Sequence, residues 1–170
     1  CGAPALTSRV VKKGAVVLVV GAAGKSGSLS AAAARQAGAS KVIGVVPTET
    51  EAQLLRHPAT TQDVGAEGIP RGVRPRRAGS SPAPESPLVD AIVIADARDP
   101  IRLAEQVEAA GGPADVTVVC VDVTGCEGGA ILSTKQGGTV IFFSMATSFS
   151  AAALGAEGMA ADVTMLVGNG

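Results

Sequence analysis

The sequence predicts an α/β fold in which six parallel strands form one doubly wound sheet with helices on both faces. Six short apolar runs alternate with helix-like segments along the 170 residues. Such uninterrupted apolar runs are typical of strands buried on both faces, as in parallel sheets. Because strand–helix–strand crossovers are nearly always right-handed, 3-2-1-4-5-6 is the natural strand order.

The predicted strands are short and rich in Val and Ile. Ala15–Val20 is a run of consecutive apolar residues between Gly14 and Gly21, and Lys41–Val46 repeats the pattern. In chain order we predict helix 5–11, strand 15–20, helix 26–36, strand 41–46, helix 50–56, strand 91–95, helix 100–110, strand 116–121, helix 126–133, strand 139–143, helix 150–157 and strand 163–167.

The helices are predicted from composition and from signals at their ends. Ser26–Gln36 is rich in Ala, which favours helix, and Gly38 stands where a helix C-cap is expected. Pro100 fits the first turn of the helix that starts there, and Asp99 before it fits an N-cap. Pro4 is likewise tolerated at the first turn of the opening helix.

Residues 58–87 interrupt this alternation. They contain six of the ten prolines and four arginines, at positions 71, 74, 76 and 77, with no periodic apolar pattern. A basic, proline-rich segment could bind an acidic partner, but a solvated surface insertion is the favoured interpretation. We therefore predict one domain over residues 1–170 with a flexible insertion at 58–87.

Composition excludes several classes of function. Lys and Arg total 14 against 15 Asp and Glu, so the charge of −1 gives no reason to expect a nucleic acid or membrane partner. No apolar run approaches the length of a membrane span. The three cysteines lack CxxC spacing, which argues against a disulfide framework and a zinc site and favours a reducing, cytoplasmic location. Because the sequence begins with Cys1 and not with Met, we expect a fragment of a longer protein.

A glycine-rich turn lies directly between the first predicted strand and the first long helix. Gly21 allows a sharp exit from the strand, Gly24 allows a diphosphate to approach the backbone, and Gly27 allows close packing of helix on sheet. The helix N-terminus would hold the diphosphate through its N–H groups and dipole. The turn could instead be merely tight, but its place in a strand–turn–helix unit favours a Rossmann-type nucleotide site.

The same turn partly matches the phosphate loop of ATPases and kinases. Gly24, Lys25 and Ser26 have the order of that motif's end, but it requires a glycine five residues earlier, where Val19 stands inside the strand. Asp122 ends a run similar to a Walker B strand, which is common in α/β sheets. A nucleoside triphosphatase is therefore disfavoured.

The end of the second strand leaves the choice between NAD and NADP open. An acidic residue there usually holds the adenosine ribose, but the sequence reads Pro47 and Thr48, with Glu49 and Glu51 further on. Arg56 could lie near a 2′-phosphate, although an ordinary arginine on a helix surface is the favoured interpretation.

The motif GAAGKSG resembles the coenzyme turn of medium-chain dehydrogenases/reductases, especially the quinone-reductase branch, and DVTVVCVDVTG is similar to their fourth strand and following turn. Together with ADARDP and FFSMATSFSAAALGAEGMAADVTMLVGNG, the sequence resembles a family of amino-acid dehydrogenases of lysine fermentation. The resemblance implies oxidative deamination of a diamino acid, with NAD or NADP as cofactor. It also implies a separate catalytic domain that largely precedes the coenzyme domain, so these residues alone should bind coenzyme without turnover.

The resemblance also assigns site residues, all at the carboxyl ends of strands. Residues 21–27 would hold the diphosphate, Asp96 and Ala97 would lie near the adenine, and the loops after the fourth and fifth strands would face the nicotinamide ribose and the nicotinamide. The predicted cofactor-binding residues are Gly21, Ala22, Ala23, Gly24, Lys25, Ser26, Gly27, Thr48, Asp96, Ala97, Asp122, Val123, Thr124, Ser144, Met145, Ala146 and Thr147.

No residue has a convincing catalytic role, and no metal site is predicted. His57, the only histidine, fits a solvated loop better than a proton-transfer group. Cys120 fits the core, and neither Cys1 nor Cys126 belongs to a pairing pattern.

The sequence leaves open two other functions, a short-chain reductase and a nucleotide-sensing module, and it predicts a homodimer. GAAGKSG also resembles the turn of short-chain reductases, but those enzymes usually need a Tyr and the chain has none. A non-catalytic nucleotide-sensing module would favour an acidic residue at the end of the second strand. The last strand, 163–167, is an uncovered apolar edge, and the resemblance implies a homodimer through it.

Overall fold

The computed structural model describes residues 2–57 and 87–168. The predicted insertion therefore lies outside the described residues, except for Pro87. The elements are α1 (Gly2–Val10), β1 (Val16–Val20), α2 (Lys25–Gln36), β2 (Lys41–Val46), α3 (Glu49–Arg56), β3 (Ala91–Ile94), α4 (Pro100–Ala109), β4 (Ala114–Val119), α5 (Glu127–Leu132), β5 (Thr134–Phe142), α6 (Phe149–Gly158) and β6 (Thr164–Val167).

The strands form one parallel sheet of six in the order β3-β2-β1-β4-β5-β6. The predicted fold class and strand order are therefore confirmed. The order reverses between β1 and β4, and this is the point at which ligands bind in open sheets of this kind. Among the described residues, no helix combines the length and hydropathy needed to cross a bilayer.

The strand side chains explain why both faces of the sheet are covered. Val17 and Val19 of β1 are buried in a cluster with residues of α2 and α3, whereas Leu18 and Val20 are buried in a cluster with Leu103 and other residues around α4. Alternate residues of a strand point to opposite faces. The uninterrupted apolar run is thus accounted for by two cores, one on each side, and a third cluster joins α5 and α6 to β4 and β5.

Several helix ends agree with their sequence signals. The Asp99 side chain accepts a hydrogen bond from the Arg102 backbone N–H at 3.2 Å, which confirms it as the N-cap of α4. Gly38 has a φ of +92°, and its N–H donates to the Arg35 carbonyl at 2.9 Å, as expected just after a helix end.

Three predicted elements differ from the structure by two residues or more at one end or both. Helix α1 begins at Gly2 and not at Ala5. Strand β4 spans Ala114–Val119 and not 116–121, and β5 begins at Thr134 and not at 139. For the two strands the difference comes from pairing between them. Ala114 pairs with Thr134, and the register shifts between Ala114 and Val116. Thr117 Oγ1 and Thr134 Oγ1 are also hydrogen-bonded, at 2.6 Å. The boundaries of the other elements agree within one residue.

Candidate nucleotide-binding site

The glycine turn after β1 has the conformations that its sequence predicts. Gly21 has a φ of +84°, and a Cβ there would lie 2.5 Å from Val121 Cγ1. A Cβ on Gly27 would lie 2.1 Å from the Gly21 carbonyl oxygen. Gly27 therefore allows α2 to approach the turn closely, and Gly21 allows the turn to approach the segment after β4.

Gly24 differs from these two glycines. It is the N-cap of α2 with a φ of −72° and a ψ of 162°, and a Cβ there would have the Gly21 carbonyl oxygen as its nearest neighbour, at 3.4 Å. The protein itself thus has room for a side chain here. Gly24 is exposed, so a side chain there would project from the surface of the turn, and it is at this glycine that turns of the Rossmann type let a diphosphate approach the backbone.

The N-terminus of α2 is suited to an anion. Its N-cap glycine supplies no side-chain acceptor, and its first turn contains no acidic residue. The partial positive charge of the helix end is therefore not neutralised by a local carboxylate, and Lys25 adds a full charge on an exposed side chain. Ala22 is placed differently, because it is fully buried and its N–H donates to the Val45 carbonyl at 3.2 Å.

A mainly apolar pocket of about 440 Å³ lies beside this turn, at the carboxyl ends of β1, β2 and β3 and the loop after β4. Its wall includes Asp96 and Ala97, the two residues that were predicted to lie near the adenine. The complete set of lining residues is Val20, Gly21, Val45, Val46, Pro47, Ala95, Asp96, Ala97, Arg98, Val121 and Val123.

One pair of charged side chains forms part of this wall. Arg98 Nε donates to Asp96 Oδ1 at 2.9 Å, Arg98 Nη2 donates to Asp96 Oδ2 at 2.7 Å, and the Arg98 backbone N–H donates to Oδ1 at 2.9 Å. Hydrogen bonds from Arg98 stabilise the carboxylate and lower the pKa of Asp96 to about 2. The carboxylate is therefore ionised at neutral pH and committed to Arg98.

The end of β2 has no carboxylate in the pocket wall. Pro47 lines the pocket, whereas the Thr48 hydroxyl accepts from the Glu51 N–H at 3.3 Å as the N-cap of α3. Glu49 forms an exposed ion pair with Arg56. This pairing agrees with the interpretation of Arg56 as a helix-surface residue.

The loops after β4 and β5 lie against each other on the other side of the turn. Ser144 Oγ donates to Asp122 Oδ1 at 3.4 Å, and the Ala146 N–H donates to Ser144 Oγ at 3.1 Å. Val123 reaches the pocket wall, Thr124 is exposed, Met145 is completely exposed, and the Thr147 hydroxyl is buried. The structure thus brings together the two loops that were predicted to face the nicotinamide side.

Sequence reasoning missed Glu127, which connects these loops. Glu127 is only 4% exposed, and its Oε1 accepts from the Ser148 backbone N–H at 2.7 Å. It also missed Arg98 and the strand-end residues Val45, Val46, Pro47 and Val121. The two-residue spacing of Asp96 and Arg98 within the motif ADARDP was the available signal for the ion pair.

Two cysteines and the histidine lie within the described residues. Burial raises the pKa of both Cys120 and Cys126 to about 11, so neither is a thiolate at neutral pH. His57 is exposed and is the C-cap residue of α3. Its backbone N–H donates to the Gln53 carbonyl. Across residues 2–57 and 87–168, no three His, Cys, Asp or Glu side chains are grouped to hold a metal ion.

The strand order and the glycine turn at the point of reversal define a Rossmann-type domain. Over 99% of its length the chain is 40% identical to L-erythro-3,5-diaminohexanoate dehydrogenase of Acetoanaerobium sticklandii and 39% identical to the enzyme of that name from Fusobacterium nucleatum. It spans 42% of the length of each of these relatives. The resemblance inferred from the motifs is thus confirmed, whereas no protein-family profile matches the chain.

Solved structures show the same fold at lower identity. A mycobacterial quinone oxidoreductase superposes with a TM-score of 0.62 at 20% identity, covering 97% of this chain and 42% of that one. The 2-octenoyl-CoA carboxylase reductase CinF, in complex with NADP and 2-octenoyl-CoA, superposes with a TM-score of 0.60 at 16% identity, covering 99% of this chain and 36% of that one. These solved structures therefore share the fold of this chain.

Proposed function

We propose that this chain is the NAD(P)-binding part of a dehydrogenase that oxidatively deaminates L-erythro-3,5-diaminohexanoate. The single observation that carries the proposal is the 40% identity over 99% of the chain to a dehydrogenase of that name. The open glycine turn and the adjoining apolar pocket support it, because together they fit the diphosphate and the adenosine of a dinucleotide.

In this proposal the residues of the chain bind and orient the coenzyme. Residues 21–27 hold the diphosphate, the pocket beside Asp96 and Ala97 holds the adenosine, and the loops at 122–124 and 144–147 hold the nicotinamide end. Bound NAD or NADP, in its oxidised form, would supply the hydride acceptor. Removal of a hydride from substrate carbon 3 and of a proton from its amino group would give an imine, which water would hydrolyse to 5-amino-3-oxohexanoate and ammonia.

The substrate-binding residues are proposed to lie outside these 170 residues, because the chain spans 42% of the relatives' length. We accordingly expect coenzyme binding by this chain and turnover only by a longer polypeptide. The expected partners are a small diamino acid and a nicotinamide coenzyme, with no nucleic acid or membrane partner.

Titration with NADH and NADPH is expected to show saturable enhancement of reduced-nicotinamide fluorescence. The enhancement follows from transfer of the nicotinamide out of water, and ADP-ribose should compete it away. A protein of similar size without a nucleotide-binding fold serves as the control for non-specific fluorescence changes. If neither coenzyme binds at any accessible concentration, the proposed function is wrong.

We further propose that two copies of the chain pair through residues 163–167. Among the described strands, β6 pairs with β5 and with no other, and Val167 in it is 57% exposed. An exposed apolar edge strand can pair with the same strand of another copy across a two-fold axis. The pairing also agrees with the dimer that the family resemblance implies.

Changing both Met165 and Val167 to lysine is expected to convert dimers to monomers, because like charges would then face each other across the axis. Sedimentation velocity measures the change. The matched control places lysines at exposed Gln53 and Leu54 on α3, which should leave the dimer intact. A monomeric wild-type chain at high concentration, or a dimeric lysine variant, would contradict the assignment.

A further inference from the structure

The pocket beside the glycine turn contains one ion pair among mainly apolar walls. Among the residues that the structure places in its lining, only Asp96 and Arg98 carry charge. The others are mainly small apolar side chains at strand ends, such as Val45, Pro47 and Ala97. A flat apolar ligand with a π surface would fit such walls better than a charged one would.

The Arg98 guanidinium is held in a fixed plane. Its Nε and Nη2 donate to the two carboxylate oxygens of Asp96, with the shortest distance at 2.7 Å, in the fork-like arrangement that carboxylates and guanidinium groups prefer. The Arg98 backbone N–H donates to the same carboxylate, which fixes the loop as well. The group is therefore oriented before any ligand arrives.

Stability does not explain this arrangement. The Arg98 and Asp96 side chains are 62% and 51% exposed, and exposed ion pairs contribute little to folding. The pair also leaves the pocket wall with no net charge, since the two charges are opposite. Its distinguishing property is that an arginine of the pocket lining has its guanidinium plane fixed by two hydrogen bonds.

We propose that Arg98, oriented by Asp96, is the surface on which the adenine ring of the nucleotide stacks. This inference rests on the proposed function. Guanidinium planes stack on aromatic rings and on nucleic-acid bases. The chain has no Trp or Tyr, and none of its Phe residues, at 142, 143 and 149, lines this pocket.

The geometry argues against a different role for Arg98, the binding of the 2′-phosphate of NADP. Two of its nitrogens are already committed to Asp96, and the carboxylate neutralises its charge. A phosphate there would also be repelled by the Asp96 carboxylate, whose Oδ2 lies 2.7 Å from Arg98 Nη2. Arg98 therefore contributes to the affinity of NAD and NADP alike and does not discriminate between them.

The test compares Arg98→Lys and Arg98→Met with the wild-type chain, using 5′-AMP and 2′,5′-ADP as probes in calorimetric titrations. Lysine keeps the positive charge but lacks the planar guanidinium group. Methionine keeps a long apolar side chain but lacks both the charge and the guanidinium group. Both variants are expected to bind the two probes about tenfold more weakly, or by about 1.4 kcal/mol. Their unfolding midpoints should not change, because the side chain is exposed.

Arg102→Lys on α4 is the matched control, since Arg102 is exposed and lies outside the pocket lining. It should bind both probes as the wild type does. Unchanged affinity in both Arg98 variants would overturn the stacking role, as would weakening confined to 2′,5′-ADP, which would indicate a phosphate contact. If the wild-type chain binds neither probe nor NADH, the proposed function fails along with this inference. If it binds all three, the affinities of the two Arg98 variants alone decide the inference.

Discussion

Replacement of Gly24 by valine is expected to abolish dinucleotide binding while the domain stays folded. The backbone at Gly24 has a φ of −72° and a ψ of 162°, which valine adopts without strain. A Cβ there would meet only the Gly21 carbonyl oxygen at 3.4 Å, an ordinary contact. The added side chain would instead occupy the space in front of the turn, so we expect the affinity for NADH to fall by at least about 100-fold, or about 2.7 kcal/mol.

Fluorescence titration measures this loss, and circular dichroism with thermal unfolding tests whether the variant is folded. Gly158→Val, at the end of α6, is the matched control, because a Cβ at Gly158 has no atom within 4 Å and lies in a different part of the sequence from the turn. A folded Gly24→Val chain with wild-type affinity would show that the nucleotide does not lie against this turn.

Replacement of Gly27 by alanine is expected to lower the stability of the domain, whereas Gly24→Val lowers only the affinity for the nucleotide. A Cβ on Gly27 would lie 2.1 Å from the Gly21 carbonyl oxygen and 2.9 Å from Ala22 Cα. Both are backbone atoms, so relief requires α2 to move away from the sheet. Overpacking of this kind costs about 3 kcal/mol, which a shift of the urea midpoint would detect.

The control for this second experiment is Gly155→Ala in α6. A Cβ at Gly155 would have Met159 Cε as its nearest neighbour at 3.7 Å, so alanine should fit and gain up to about 1 kcal/mol of helix propensity. Equal stability of the Gly27 variant and the wild-type chain would mean that the contact between α2 and the turn is less tight than the geometry indicates.

Gly24 and Gly27 show how much of the site the glycine motif could predict. The spacing of Gly21, Gly24 and Gly27 predicted a turn between strand and helix, and the turn lies there. The same spacing assigned Gly24 to the approach of a diphosphate and Gly27 to close packing of helix on sheet. What it did not give is how tight that packing is, because this depends on distances between backbone atoms that are brought together by folding, such as the one between Gly27 and the Gly21 carbonyl.

The pocket wall shows a second limit. Asp96 and Ala97 were assigned to the site by the family resemblance, but the wall also includes Val45, Pro47 and Arg98. The Arg98 side chain is bonded to a carboxylate two residues away, a pair that the spacing could have suggested, but only the folded chain places that pair in the pocket wall. Glu127 was missed for a similar reason, since its partner, the Ser148 N–H, belongs to a different loop.

The alternation of strands and helices, the strand order and the position of the glycine turn could all be predicted from the residues alone. These features follow from local signals, because apolar runs, glycine positions and caps act within one element or between its neighbours. The early start of β5 could not be predicted in this way, since it depends on pairing between Ala114 and Thr134 across the sheet. The composition of the candidate site also required the folded chain, because side chains distant in sequence meet only when parallel strands end at a common edge.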